Sequence, residues 1–364
     1  MSFKLFIPSF LHLLVDFFSI FLLFSFKVDT QTALILVVLY DCLAFMSQPI
    51  LGALIEKVKR LNGIISLSVM VIVVAQFITL SYIAIPLAAL GNALFHVAAG
   101  KLVIDKSSKS SPLGIFISFG ALGVGFATLY ANKHLYVLLI FILFVLVLVN
   151  EFINYDDIPY INNQEGNNQK TYIFPVILIM TGVVLRGFFG YYTDKSSLAQ
   201  INDGALISFF VVFTAKFIGG FLIDKFKMIP VIILSLVLSI IGISFAQIPY
   251  LYLFGVFGVN LLMASTLELI RRVLPNNRAF GFGLLASCLA LGSLLGMYLL
   301  GSYKYIFYIN IILTSINSLS LILSVVYYKK KKGVLLWFSM SRVGLFFSHI
   351  LSFSEQLPFS LLEL

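Results

Sequence analysis

The chain has 364 residues, of which 60% are hydrophobic and only 11% charged, with a formal net charge of +9. Soluble domains carry roughly a quarter charged residues, so no aqueous core could hide this much apolar surface, and the solvent is a bilayer. The run Leu135 to Val149 is apolar on every face; that excludes the polar-in, apolar-out alternation of a membrane barrel and leaves helices, which satisfy their own backbone in lipid.

A spanning helix needs about 20 apolar residues. That ruler divides the chain into twelve spans, at residues 5–26, 32–54, 63–80, 84–104, 112–131, 134–150, 172–193, 204–223, 229–246, 249–270, 279–300 and 305–328. The expected fold is therefore an all-α polytopic membrane protein of two six-helix halves, 1–150 and 171–328. Between them, Asn150 to Lys170 is rich in Asn, Asp, Glu and Gln and reads as a flexible cytoplasmic linker over 151–170. Residues 329–364 begin with the basic stop Lys329 to Lys332 and continue as a Phe-, Leu- and Ser-rich tail, an interfacial helix or an appendage rather than a thirteenth span, since Arg342, His349 and Glu355 interrupt it.

Lys and Arg set the sidedness. With the N-terminus in the cytoplasm and the spans alternating, 17 of them fall inside and only Lys27, Lys133, Lys195 and Lys304 outside. The net charge is thus a topology signal directed at anionic lipid headgroups and not at nucleic acid. The expected location is the inner (plasma) membrane, multi-pass, with both termini cytoplasmic. The two cysteines, Cys42 and Cys288, both lie in hydrophobic spans and suggest neither a disulfide framework nor a metal site. No Walker loop, dinucleotide fingerprint or metal-ligand spacing occurs, so no cofactor, metal or soluble-enzyme chemistry is expected.

Charges in hydrocarbon are costly, so each in-span ionisable residue is a site candidate. His12 and Asp16 lie four apart on one face of the first span; such a pair can hold and release a proton, or form a structural ion pair. Asp41, Gln48 and Gly52, spaced by seven and four, form one stripe on the second span that suits a gate seam, with burial of Asp41 against a cation as the alternative. Asn92, His96 and Gly100 share a face of the fourth span; the histidine and the amide could bind substrate, relay protons, or simply join two helices. In the seventh span Gly182, Arg186 and Gly190 leave room around a guanidinium that cannot release its proton and so acts electrostatically, on an anion or on Asp16 or Asp41. Lys216, one turn before Gly220 in the eighth span, has either a gate or a structural role.

A short cassette occurs twice. Gly52-Ala53-Leu54-Ile55-Glu56-Lys57 returns 168 residues later as Gly220-Phe221-Leu222-Ile223-Asp224-Lys225. A repeat near half the chain length points to two related halves, a plan used by transporters.

Twelve spans in two halves, with the cassette after spans two and eight, resemble the major facilitator superfamily. Its loop motif, Gly-x-x-x-Asp-Arg/Lys-x-Gly-Arg/Lys-Arg/Lys, is matched by Gly52, Glu56, Lys57, Lys59 and Arg60, with Glu for Asp and a compressed end, and by Gly220, Asp224, Lys225 and Lys227. A narrower likeness is to fosmidomycin-resistance-type exporters: His12 to Asp16 is similar to their first-helix His-x-x-x-Asp, Gln48-Pro49 with Gly52 to their Gln-Pro-x-x-Gly, and Phe95-His96 to their fourth-helix Phe-His. Gly120 to Gly125 lacks the proline of the superfamily's antiporter pattern.

The resemblance implies a monomeric, proton-coupled secondary transporter, with spans one, four, seven and ten lining the cavity. Asp16, His12 and Asp41 would then serve coupling; Asn92, His96, Arg186 and Asn260 would face a small-molecule substrate. Gly52, Glu56, Lys57, Lys216, Gly220, Asp224 and Lys225 would form gates, with Glu56 or Asp224 capping a helix or pairing with a lysine across the seam between halves. Export by proton antiport is the expected mode. Uniport or import, and a polytopic enzyme acting on lipid-linked substrates, are the alternatives.

Overall fold

The structure, a computed structural model, describes residues 3–129, 133–158, 172–192, 203–299 and 306–331. The described residues are helical, with no strand. In chain order the helices are α1 (Phe6–Ser25), α2 (Thr30–Asp41), α3 (Gln48–Ile55), α4 (Asn62–Ala75), α5 (Ser81–Lys106), α6 (Ser111–Leu129), α7 (Lys133–Phe152), α8 (Ile173–Tyr192), α9 (Gly204–Phe226), α10 (Met228–Ser244), α11 (Pro249–Val273), α12 (Arg278–Leu299) and α13 (Ile306–Lys331). A π-turn, Cys42–Met46, joins α2 to α3, so these two form one span and the total is twelve. Eight spans are long and apolar enough to cross a bilayer outright, and four are shorter apolar helices. The chain is a multi-pass membrane protein.

Local chemistry sets the helix ends. At the start of α2 the Asp29 carboxylate accepts the backbone N–H of Thr32 at 2.9 Å and its hydroxyl at 2.6 Å, a side-chain N-cap. Pro249 opens α11, where its missing N–H is one that no helix needs.

The helices pack as two sets of six. In the first, α1 lies against α5 and α6, and α4 against α5; in the second, α8 lies against α12 and α13, and α11 against α9 and α10. Two seams join the sets: α3 and the π-turn lie on α12, and α6 lies on α9. Span two therefore meets span eleven, and span five meets span eight, the pairing expected of a pseudo-twofold. By contrast α2 packs mainly on α5 and the π-turn, and the span holding it is buried over only 22% of its apolar window. The first seam is thus closed at the α3 end, the end that carries Lys57, Lys59 and Arg60.

Two expectations change. The π-turn inserts an extra residue into the helical turn, so Asp41 is not in register with Gln48 and Gly52: Gln48 and Gly52 are buried, Asp41 only half-buried. The polar segment after Asn150 is not loose at its start. Residues 150–158 continue α7 and make a short 3-10 turn, Tyr155–Asp157. Asn150 donates to the Asn62 carbonyl (3.3 Å) and Ser66 (3.2 Å), Asn62 donates back to the Asn150 carbonyl (2.8 Å), and the buried Tyr155 hydroxyl donates to Asn150 Oδ1 (3.1 Å). Lys4 pairs with Asp157 at 2.6 Å. Polar composition predicts solvation, but these amides find buried partners on α4 instead. Residues 159–171 and the tail beyond 331 lie outside the described residues.

Candidate functional site

At mid-depth, α1 and α5 bring together side chains from positions 84 residues apart in sequence. His12 Nε2 lies 2.8 Å from His96 Nε2. Asp16 Oδ2 is 3.3 Å from His12 Nε2, and Asp16 Oδ1 is 3.5 Å from His96 Nε2. Asn92 donates to Asp16 Oδ1 at 3.0 Å and to Ser19 at 3.3 Å. All four of His12, Asp16, Asn92 and His96 are buried. The i, i+4 spacings of His12/Asp16 and of Asn92/His96 place each pair on one helix face, and packing of α1 on α5 sets the two faces against each other.

The tautomers follow from the remaining partners. His12 Nδ1 contacts the Phe116 carbonyl at 2.8 Å, and His96 Nδ1 contacts the Asn92 carbonyl at 2.9 Å. A carbonyl oxygen only accepts, so Nδ1 carries the hydrogen in both rings. Both Nε2 lone pairs then converge on each other and on a carboxylate. The arrangement is repulsive unless a positive charge lies among them, which makes it a receptor for a proton or another cation.

On the opposite set of helices one cation reaches this cluster and a second reaches the first. Lys216 on α9 is within electrostatic reach of Asp16 and His96, and also of Arg186 on α8. Arg186 is buried, and its Nε has no hydrogen-bond partner. Asp16 therefore lies against His12, His96 and Asn92 with Lys216 in electrostatic reach; Arg186, expected as its counter-charge, acts on Lys216. The Lys216 backbone lies in the α6–α9 seam beside Gly114, and its charge reaches the cluster. Asn260 donates to the Val256 carbonyl of its own helix (2.8 Å), and Asp41 makes no ion pair with the cluster among the described residues.

The two cassettes lie at one end of the two seams. Glu56 Oε1 accepts the backbone N–H of Arg278 (3.1 Å), and Oε2 accepts those of Ala279 (3.0 Å) and Phe280 (3.1 Å), so the carboxylate caps the N-terminus of α12. Asp224 accepts the backbone N–H groups of Ser110 (2.7 Å) and Ser111 (2.9 Å) at the N-terminus of α6. Ser110 and Ser111 precede Arg278 and Ala279 by 168 residues, the offset that also separates Glu56 from Asp224. The two contacts are the same contact repeated by the pseudo-twofold. An anion at a helix N-terminus contributes about 0.3–1 kcal/mol, and up to about 2 when partly buried.

Glycine makes both approaches possible. A Cβ on Gly52 would stand 2.6 Å from the Ala279 carbonyl oxygen, and one on Gly220 would stand 2.6 Å from that of Ser110.

Each seam carries further charges that the sequence reading did not assign to it. Beside Glu56, Lys101 lies 3.9 Å from Oε1 and 2.6 Å from Asp105, whose other oxygen binds Arg278 at 3.1 Å. Beside Asp224, Arg271 donates to the Ser107 carbonyl at the C-terminal end of α5 and to Glu268, which also binds Arg272 at 2.6 Å. Lys57 and Lys225 are exposed instead; Lys225 lies over the Phe226 ring. The available signals were the i, i+4 spacings Lys101/Asp105 and Glu268/Arg272. Burial of Glu56 outweighs its three N–H donors and Lys101, and holds its carboxyl above the usual glutamate value.

No family model matches the sequence, and no curated protein matches it. Solved structures do. The Escherichia coli fucose:proton symporter FucP is similar with a TM-score of 0.66 at 12% identity, over 88% of this chain and 97% of that one. FucP in the outward conformation, a major facilitator superfamily transporter, matches with a TM-score of 0.64 at 13% identity, over 89% and 99%. A bacterial homologue of the iron transporter ferroportin in its outward-facing state matches with a TM-score of 0.60 at 14% identity, over 88% and 98%. Twelve helices in two sets of six, joined through spans two and eleven and spans five and eight, give this chain the fold of the major facilitator superfamily transporters.

Proposed function

We propose that the protein is a secondary transporter that moves a small molecule across the plasma membrane by alternating access. The observation that carries this reading is the pair of carboxylate caps at Glu56 and Asp224. Each ties one half to a helix N-terminus of the other, and both lie at one face. Rocking of the halves breaks them and opens the cavity to that face. The excess of basic residues there makes it the cytoplasmic face. The conformation seen is then the one sealed toward the cytoplasm, in keeping with the outward state named for two of the structural neighbours.

We further propose that transport is coupled to protons through Asp16, His12 and His96. The convergent lone pairs of the histidines need a positive charge, and Asp16 lies within 3.5 Å of both. A proton symporter among the structural neighbours supports proton coupling as a mode this fold can run. On the opposite wall, Arg186 and Lys216 suit an acidic group on the substrate. The short motifs shared with fosmidomycin-resistance-type exporters support export, by exchange of the substrate against protons.

The substrate class comes first, from a drug and metabolite susceptibility screen of cells with and without the protein. Flux of a hit into proteoliposomes then tests the coupling. Asp16→Asn should abolish uptake driven by a pH gradient and leave counterflow exchange without a gradient intact. Unchanged pH-driven flux in Asp16→Asn removes the coupling role from Asp16, and uptake that ignores reversal of the gradient favours uniport.

A further inference from the structure

We infer that His12, His96 and Asp16 form a binding site for a divalent transition-metal cation of the Zn2+, Co2+ or Ni2+ type. The inference uses the side chains of the proton reading but does not depend on that reading.

Three ligand atoms, one from each residue, lie within 4.8 Å of one another. Imidazole nitrogens bind such metals at about 2.0–2.1 Å and carboxylate oxygens at about 2.0–2.2 Å. Ligands at those radii around one ion stand about 3–3.5 Å apart. The observed separations are 2.8 Å between the two Nε2 atoms and 3.3 and 3.5 Å from Nε2 to carboxylate oxygen. Small movements of two side chains therefore complete the set, without unwinding either helix.

The outer shell is that of a metal site. A ligating histidine nearly always donates its other ring N–H to a carbonyl or carboxylate, which fixes the tautomer and turns the bare nitrogen to the ion. Here both histidines do so, to the Phe116 and Asn92 carbonyls. Asn92 holds Asp16 through its amide nitrogen, while its own Oδ1 is buried with no partner. Rotating that amide would offer the oxygen as a further ligand. Packed α6 leaves the space clear: a Cβ on Gly120 would fall 2.4 Å from His12 Nε2 and 2.6 Å from Asp16 Oδ2.

The donor set also selects the class of ion. Mg2+ and Ca2+ prefer several oxygens, whereas this site offers one carboxylate beside two ring nitrogens. Two neutral imidazoles and a carboxylate suit the borderline divalent metals. Sequence spacing concealed the site because its ligands lie on two separate spans, and only α1–α5 packing unites them.

The test is Co2+ binding to the full-length protein, purified in detergent with any polyhistidine tag removed. The expected result is one saturable equivalent of Co2+ per chain, with visible d–d bands that Zn2+ removes. His12→Gln and His96→Gln should each weaken binding at least tenfold, a loss that even an outer-shell partner can cause. Gly120→Ala should weaken it as well, without removing a ligand. X-ray absorption of the wild-type, Co2+-loaded protein keeps the test independent of whether a variant folds; two imidazoles and oxygen are expected. Lack of saturable binding, a fully hydrated ion, or binding unchanged in the His12→Gln/His96→Gln double variant overturns the site. No gradient or flux enters the measurement, so a protein that binds Co2+ yet shows no pH-driven flux loses the proton reading and keeps the metal site.

Discussion

Glu56 accepts the backbone N–H of Arg278 at 3.1 Å across the seam between the two halves. The bond joins the C-terminal end of α3 to the first turn of α12, and the same geometry recurs between Asp224 and Ser110 at 2.7 Å. Both are side chain to backbone contacts, so neither depends on the identity of the residue that donates. Whether they hold the face shut can be measured directly.

Glu56→Ala removes the acceptor for three N–H groups, and Asp224→Ala the acceptor for two. Loss of a helix cap costs about 0.5–2 kcal/mol, and a change of 1–2 kcal/mol shifts a two-state ratio roughly 5- to 30-fold. Spin labels at the exposed Lys57 and Lys225 positions, in a Cys42→Ser/Cys288→Ser background, report the separation of the halves at this face. Each variant should raise the long-distance population, and the double variant should do so by nearly the sum of the two, because the caps share no partner. A distance distribution that matches the parent in the double variant would show that the caps do not set the equilibrium.

Acidification should favour the sealed state through Glu56. Burial holds its carboxyl above the usual value in the sealed seam, and opening exposes it and restores that value. The sealed state therefore binds the proton more tightly. Its advantage is fully present below the ordinary glutamate value and is lost as pH rises through the raised one. In the label experiment the sealed fraction should grow as pH falls through this window. Glu56→Gln should flatten that part of the pH dependence, whatever other groups add to both proteins; equal slopes in the two would rule Glu56 out as the source.

Gly52 and Gly220, expected from the sequence as gate residues, stand at points of close approach, and packing explains why no other residue serves. Gly52→Ala would set a methyl group 2.6 Å from the Ala279 carbonyl oxygen, and Gly220→Ala would do the same at Ser110. These neighbours are backbone atoms of a capped helix and cannot rotate away, so the helices must part and the N–H bonds to Glu56 or Asp224 lengthen. Either substitution should open the labelled face as the cap variants do, while leaving helix content unchanged by circular dichroism. A sealed population equal to the parent's would show that the seam has slack.

Much of this architecture was legible because the bilayer imposes a length on every helix and a sign on every loop. Each of the twelve apolar runs corresponds to one span, and the cassette repeat located both seams. What sequence could not give was pairing between spans. His12 and His96 each had a plausible neighbour four residues away, yet the fold sets them 2.8 Å from each other, on two helices and 84 residues apart in sequence. Lys101 likewise counted as an inner-face charge, but the fold turns it toward Glu56 and Asp105, while the cassette's own Lys57 is exposed. The π-turn at Cys42–Met46 left no signature in the apolar pattern and moved Asp41 off its expected stripe.

The docked segment after α7 offers a test of its own. Composition predicts that residues from Asn150 onward are loose, whereas the structure places Tyr155 in a buried network with Asn150 and Asn62. Tyr155→Phe keeps the ring and removes the hydroxyl that donates to Asn150 Oδ1 at 3.1 Å. If the network is formed, the change should cost about 0.5–1.5 kcal/mol. Asn62→Ala should cost more, about 1–3 kcal/mol, since it strips the donor from the carbonyls of Asn150 and Ile153 and leaves a gap beside α7. Thermal unfolding in detergent should rank the proteins parent, Tyr155→Phe, Asn62→Ala. Cleavage between residues 150 and 158 under limited proteolysis should accelerate in the same order. A parent already cleaved there as fast as Asn62→Ala would show the segment to be undocked, and the hydrogen bonds to Asn62 and Ser66 would then contribute nothing to holding α7 against α4.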